Sequence, residues 1–186
     1  MSGNYGKFSG NPKTEWLTHP TNPDRDMKLL EDFWYIDPDG RKWSAPAGSI
    51  INGASIPRPL WTIVGSPYTD DYRNASVVHD IACDEKNIKR KEADKMFYHA
   101  CLAGGCNEDQ AEQLYLGVRI GAWASKLGDL FSFSREDMLF RSPGEQTNEE
   151  KQILGKFRDV ANQVKGKKRK LAFNELEKLV DKALAK

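Results

Sequence analysis

His79 and Asp80 stand side by side in the stretch VVHDIACDEKNIKRKEAD, and a second aspartate, Asp94, follows fifteen residues after the histidine. These residue types could do hydrolytic chemistry. A carboxylate on one imidazole nitrogen fixes the tautomer and leaves the other nitrogen to take a proton from water. The second carboxylate could hold a hard cation such as Ca2+, together with loop carbonyls, and so stabilise an oxyanion. The same three residues could instead form a buried polar network that sets helix register without catalysing anything.

Two helices must bring these side chains together. Tyr72, Ala75, Ser76, His79 and Cys83 recur at helical spacing after Gly65-Ser66-Pro67,. Lys91 to Ala103 reads as a second helix with Ala93, Phe97, Ala100 and Cys101 on its apolar face, ended by Gly104-Gly105,. The charged loop between them centres on Asn87, with His79 eight residues before and Asp94 seven after. At about 1.5 Å of rise per residue, the two sit level in an antiparallel helix pair. Asp80 then points about 100° away from His79 around the helix. A third helix, from an Asn107–Gln110 cap to Lys126, carries Leu114, Val118 and Trp123, and its Gly117 and Gly121 permit close helix packing,.

The first third reads as short strands and turns. Leu30 to Ile36 is a strand, Asp37-Pro38-Asp39-Gly40 a turn, and Arg41 to Ser44 the returning strand,. Ala47 to Asn52 is a third strand. Ser55-Ile56-Pro57 suits a helix start with Ser55 as cap. Two sharper roles attach here: Ser55 as a nucleophile relayed through His79 and Asp94, and Arg58, beside Trp61, as a binder of a substrate phosphate or carboxylate. No G-x-S-x-G elbow accompanies Ser55. The expected fold class is α+β, with a small N-terminal antiparallel sheet packed on a helical hairpin and third helix, followed by a C-terminal helical arm.

Charge divides the chain. Residues 147–186 hold eleven Lys/Arg against six Asp/Glu, about +5, while the whole chain is +1. The core is therefore not a basic nucleic-acid binder, and any anionic surface would meet the tail. The expected division is a core over 1–126, a linker over 127–146 with Phe131, Phe133 and Phe140, and a basic amphipathic arm over 147–186. GKKRK interrupts that arm, whose partner would be a lipid surface or another protein. The cysteines Cys83, Cys101 and Cys106 are odd in number and read as reduced thiols,. His99, Cys101 and Cys106 lack a fourth ligand for zinc, and His19 carries no signal. No apolar run is long enough to span a bilayer, and MSGNYGKFSGNPK has no signal-peptide core,. The expectation is cytoplasmic synthesis, with signal-independent export or packaging in a phage-like particle left open.

The segments AGSIINGASIPRPLW, NASVVHD, KRKEADKMFYHACLAGG and YLGVRIGAW, in that order, resemble the domain-of-unknown-function 1353 family of bacterial and phage genomes. The likeness covers roughly residues 6 to 126 and implies a fold and a phage-like context, but no known reaction. Asn52 stands where that family often has Asp. Over about thirty residues the HD pair is also similar to the phospholipase A2 superfamily, and carried over by position it implies His79 as base, Asp80 as calcium ligand and Asp94 as orienting group. The Gly-rich calcium loop and the flanking half-cystines of that superfamily are missing. Two functions follow as expectations. One is a small hydrolase acting on an ester or phospholipid through the His79–Asp94 dyad, with Asp80 binding a metal. The other is a non-catalytic phage-derived accessory or assembly protein that docks a partner through its helical arm.

Overall fold

A computed structural model describes residues 4–18, 26–65, 70–127, 146–167 and 169–185. His19, Ser66, Pro67, Lys168, Lys186 and nearly all of the expected linker, with its three phenylalanines, lie outside the described residues. The chain is α+β. Among the described residues six short strands, β1 (Lys7–Phe8), β2 (Thr14–Trp16), β3 (Met27–Leu29), β4 (Phe33–Ile36), β5 (Lys42–Ala45) and β6 (Ile50–Ile51), form two antiparallel sheets. One runs β1-β4-β5 and the other β2-β3-β6.

The β4-β5 hairpin shows how local chemistry fixes register. Asp37 Oδ1 accepts the backbone N–H groups of Asp39 and Arg41, and the Gly40 N–H closes the turn on the Asp37 carbonyl. An Asp side chain that bonds backbone just beyond itself is a turn-former. The turn sets Phe33 opposite Ala45 and Tyr35 opposite Trp43, and all four face inward. Trp34 and Ile36 alternate to the outer face,. Leu30, expected inside the strand, is exposed and precedes it.

The helices are α1 (Trp61–Val64), α2 (Arg73–Asp84), α3 (Arg90–Gly104), α4 (Glu108–Ala124), α5 (Asn148–Lys165) and α6 (Phe173–Leu184). Gly105 closes α3 in the left-handed region, φ 113°, with its N–H directed to the Cys101 and Leu102 carbonyls,. Asn107 Oδ1 caps α4 by accepting from Gln110. Thr147 and Glu150 form the full reciprocal capping box of α5,. The cap expected at Ser55 does not form. A 3-10 turn over Arg58–Leu60 opens instead after Pro57, without a side-chain cap, because proline at the boundary presets φ and has no N–H to satisfy,.

One apolar cluster unites the molecule. It runs from Met27 and Leu29 in the sheets, through Val78, Phe97 and Leu114 in the helices, to Ile153, Phe157, Val160, Leu176 and Val180 in α5 and α6. Both C-terminal helices pack on α4, so the basic arm shares the core of residues 1–126. The cause is its own pattern: Ile153, Leu154, Phe157 and Val160 fall on one face of α5, and burying each is worth about 1.5–3 kcal/mol,. Among the described residues no helix is long and apolar enough to cross a membrane.

Candidate functional site

The antiparallel pair α2 and α3 places His79 level with Asp94, as the spacing about Asn87 predicts. His79 Nε2 lies 2.9 Å from Asp94 Oδ1, and both side chains are 0% exposed. An ionised carboxylate only accepts, so Nε2 carries the proton and donates it. Phe97 covers the ring at 4.7 Å between centroids, and Cys83, one turn along α2, approaches with its sulfur 3.5 Å from Nε2 and 3.8 Å from Nδ1. Arg90 Nε donates to the same Asp94 oxygen at 3.2 Å, and Arg119 Nη1 of α4 donates to Oδ2 at 3.2 Å. The chain of charges continues outward. Arg119 Nη2 donates to Asp181 Oδ1 of α6 at 2.8 Å, and Lys91 Nζ donates to Asp181 Oδ2 at 2.6 Å. One buried carboxylate thus links four helices.

The electrostatics follow from burial and from these partners. Burial pushes the His79 pKa below its ordinary value, and the hydrogen bond and charge of Asp94 do not restore it. Burial pulls the Asp94 carboxyl upward, but the His79 hydrogen bond and the Arg90 and Arg119 charges outweigh it, leaving the carboxyl below its usual range,. The result is a neutral imidazole on an ionised aspartate. Burial pushes the Cys83 thiol up to about 12, so the sulfur beside His79 is a protonated thiol and a poor nucleophile,.

A pH dependence comes with these directions. His79 titrates lower in the folded chain than its ordinary 6.5, so below that pH the unfolded chain binds a proton the folded one refuses,. Its contribution is full above pH 6.5 and is lost as pH falls toward the folded value,. Asp94, also depressed, adds stability present above its ordinary 3.8 and lost as pH falls through its folded value,. Unfolding free energies from urea titrations, taken from about pH 8 down to about pH 5, should therefore decline with a limiting slope of about 1.4 kcal/mol per pH unit for His79. His99, likewise depressed by burial, has the same sign. The decline should be shallower in His79→Gln, and an unchanged slope in that variant would remove His79 from the account.

The other expected site residues lie elsewhere or are differently engaged. Asp80 turns away from His79 toward the loop after β6, where its Oδ2 accepts the backbone N–H groups of Asn52 at 2.6 Å and Gly53 at 3.3 Å. Oδ2 of Asp80 is thus engaged by two backbone donors. Asn52, an exposed residue, meets Asp80 through its backbone N–H. Ser55 is half-buried, and its side chain makes no hydrogen bond to His79 among the described residues. The Arg58 guanidinium stacks 5.6 Å from the Trp61 ring centroid,. His79, Cys83 and Asp94 bring three ligand atoms within 4.8 Å of one another. Two arginines already neutralise Asp94, however, and a further cation there would be repelled,. All three cysteines are free thiols, as their odd number suggests.

The sequence does not mark Arg90, Arg119 or Asp181 as members of this network. The first two sit within the KRKEAD and YLGVRIGAW stretches, but nothing in a linear sequence says which carboxylate an arginine will meet.

These features define an α+β protein in which two sheets cover a helical core held by a buried His–Asp–Arg network. The chain belongs to the family described as Protein of unknown function (DUF1353), which residues 27–118 match. It is similar to "Uncharacterized protein y4jT" of Sinorhizobium fredii, 34% identical over 114 residues, covering 61% of this chain and 33% of that protein. It is also similar to "Uncharacterized protein y4iH" of the same organism, 40% identical over 96 residues, covering 51% of this chain and 40% of that protein. The matched region is thus well under half the length of either relative. No solved structure matches the chain.

Proposed function

We propose that the chain is a non-catalytic accessory or assembly protein of the phage-like kind, in which His79 and Asp94 form a structural lock and the C-terminal helices dock a protein partner. The observation that carries this reading is the complete burial of both residues, with each Asp94 oxygen already taken by an arginine. A general base must reach the proton it abstracts, directly or through one water. The lock couples α6 to α3 and α4, so the arm is held as a rigid surface. Where α5 meets α6, Lys165, Lys167, Arg169 and Lys170 stand with Asp109 and Glu112 of α4 around an open concavity lined by Val164 and Leu171.

A second reading has one specific observation in its favour. An open groove of about 500 Å³ is lined by Cys83, which touches the His79 ring, and by the two arginines that hold Asp94. A hydrolase acting on an ester or phospholipid, with His79 as base, Asp94 orienting it and Asp80 as ligand for Ca2+, would admit its substrate there by displacing Cys83.

One experiment separates the two: fatty-acid release from anionic liposomes, with calcium or with chelator, for the native chain and His79→Ala. The lock predicts no calcium-dependent release from either protein. It also predicts a loss of about 1–3 kcal/mol in His79→Ala, where Asp94 loses a buried donor. Calcium-dependent release that disappears in a folded His79→Ala would overturn the lock in favour of the dyad.

A further inference from the structure

We infer that the groove between α2, α3, α4 and α6 is a binding site for an organic phosphate. Cys83, Arg90, Arg119, Trp123, Lys126 and Leu184 line it, along with Lys91, and no carboxylate does so among the described residues. The cations divide into two kinds. Lys91 and Arg119 face Asp181 and Asp94, and are largely compensated. Lys126 is exposed and forms no ion pair among the described residues, and Arg90 meets Asp94 through Nε alone.

That single bond at Arg90 has a geometric consequence. The guanidinium is a rigid planar fork, so fixing its Nε side against a buried aspartate pre-orients the terminal Nη pair. Arg90 Nη2 is buried and has no acceptor, and the same is true of Arg119 Nε. Buried polar groups without partners are rare in native proteins, and an ion or water is a usual explanation. Arg90 remains a third exposed, which leaves part of its side chain open to an incoming oxyanion. A tetrahedral oxyanion between Arg90 and Lys126 would accept charge-assisted hydrogen bonds from both. A modest turn of either guanidinium would bring in an unpartnered N–H.

Apart from Ser125, the rest of the groove is apolar. Trp123, Ala122 and Leu184 offer a wall to a ligand body that is aromatic or aliphatic,. The site therefore fits a phosphate carried on an apolar group better than phosphate alone. It does not depend on whether His79 is a base or a lock, because none of these contacts uses the imidazole.

The test is a titration of the full chain with inorganic phosphate and with phenyl phosphate at matched ionic strength. Binding would be followed by calorimetry and by the Trp123 indole resonance in a nitrogen-proton spectrum. Phenyl phosphate should saturate and bind more tightly than inorganic phosphate, while shifting the Trp123 resonance. Lys126→Ala, a surface change that leaves the fold intact, should weaken binding about tenfold, as should Arg90→Lys. If Arg90→Lys fails to fold, Lys126→Ala carries the test alone. Vesicles of phosphatidylcholine with phosphatidic acid form a third arm. Capture on them that phenyl phosphate competes away would assign the phosphate to a lipid headgroup, and absence of capture would assign it to a soluble ligand. No saturation up to about 10 mM phenyl phosphate, or equal binding by the native chain and Lys126→Ala, would overturn the proposal.

Discussion

Asp94→Ala should destabilise the chain by about 3–5 kcal/mol and lower its melting temperature by roughly 6–20 °C. The carboxylate faces three donors at once, His79 Nε2, Arg90 Nε and Arg119 Nη1, and has no exposed surface. Removing it leaves Arg90 without its carboxylate and Arg119 with Asp181 alone, in a pocket that already holds two N–H atoms without acceptors. The cost is mostly that of uncompensated buried charge rather than the net worth of the pair. Asp94→Asn, which keeps the volume but not the charge, should fall between the two. Urea denaturation of the native chain, both Asp94 variants, His79→Ala and the double variant forms a cycle. Because the two residues are in contact, the cycle should show a coupling energy of about 0.5–3 kcal/mol. A loss below about 1 kcal/mol in Asp94→Ala would mean that water already reaches the pair, and it would reopen the case for catalysis.

The level at which His79 and Asp94 meet was readable from sequence because it depends on one local quantity, residues counted outward from a loop centre along regular helices. The same holds for the Asp37–Gly40 turn, the Gly105 stop and the Thr147–Glu150 box, each decided within a few residues. The burial of the pair was not readable. It depends on Phe97, Cys83, Arg90 and Arg119 closing around the ring, and Arg119 arrives from a third helix. The engagement of Asp94 explains why a histidine flanked by carboxylates looks pointed in sequence yet is neutral and enclosed in the fold. Its formal partner is saturated by arginines whose sequence positions give no hint of the pairing. Asp80 is the mirror case. Its direction away from His79 was legible from helix geometry, whereas its backbone N–H partners at Asn52 and Gly53 come from a loop beyond the sheet, some twenty-eight residues away. The arm's basic charge was plain, but its docking on α4 was carried by apolar residues on the opposite face of the same helices.

The two glycines of α4 carry the other large expectation. Gly117 and Gly121, four apart, suggested a close approach of two helices, and the approach is real but differently made. Gly117 faces Ile56 and Val64, while Gly121 faces the irregular segment Ser55–Pro57. A Cβ on Gly121 would lie 2.2 Å from the Ser55 carbonyl oxygen, a backbone atom that no rotamer change can move. A Cβ on Gly117 would lie 3.4 Å from the Cγ2 methyl of Ile56, an ordinary contact. Gly121→Val should therefore cost about 3 kcal/mol or more, since overpacking against backbone has no side chain to absorb it. Gly117→Ala should be neutral or stabilising by up to about 1 kcal/mol, because alanine is the better helix former. Gly121 lies two residues beyond Arg119, so displacing α4 from Ser55 also draws the guanidinium away from Asp94. Gly121→Val should accordingly weaken the pH dependence assigned to the network as well as the stability, a joint change that a purely local clash would not produce. Thermal melts of both variants over the same pH range measure it. Equal stabilities for Gly117→Ala and Gly121→Val would show that the Ser55 segment yields freely, and that α4 rather than the loop sets the position of Arg119.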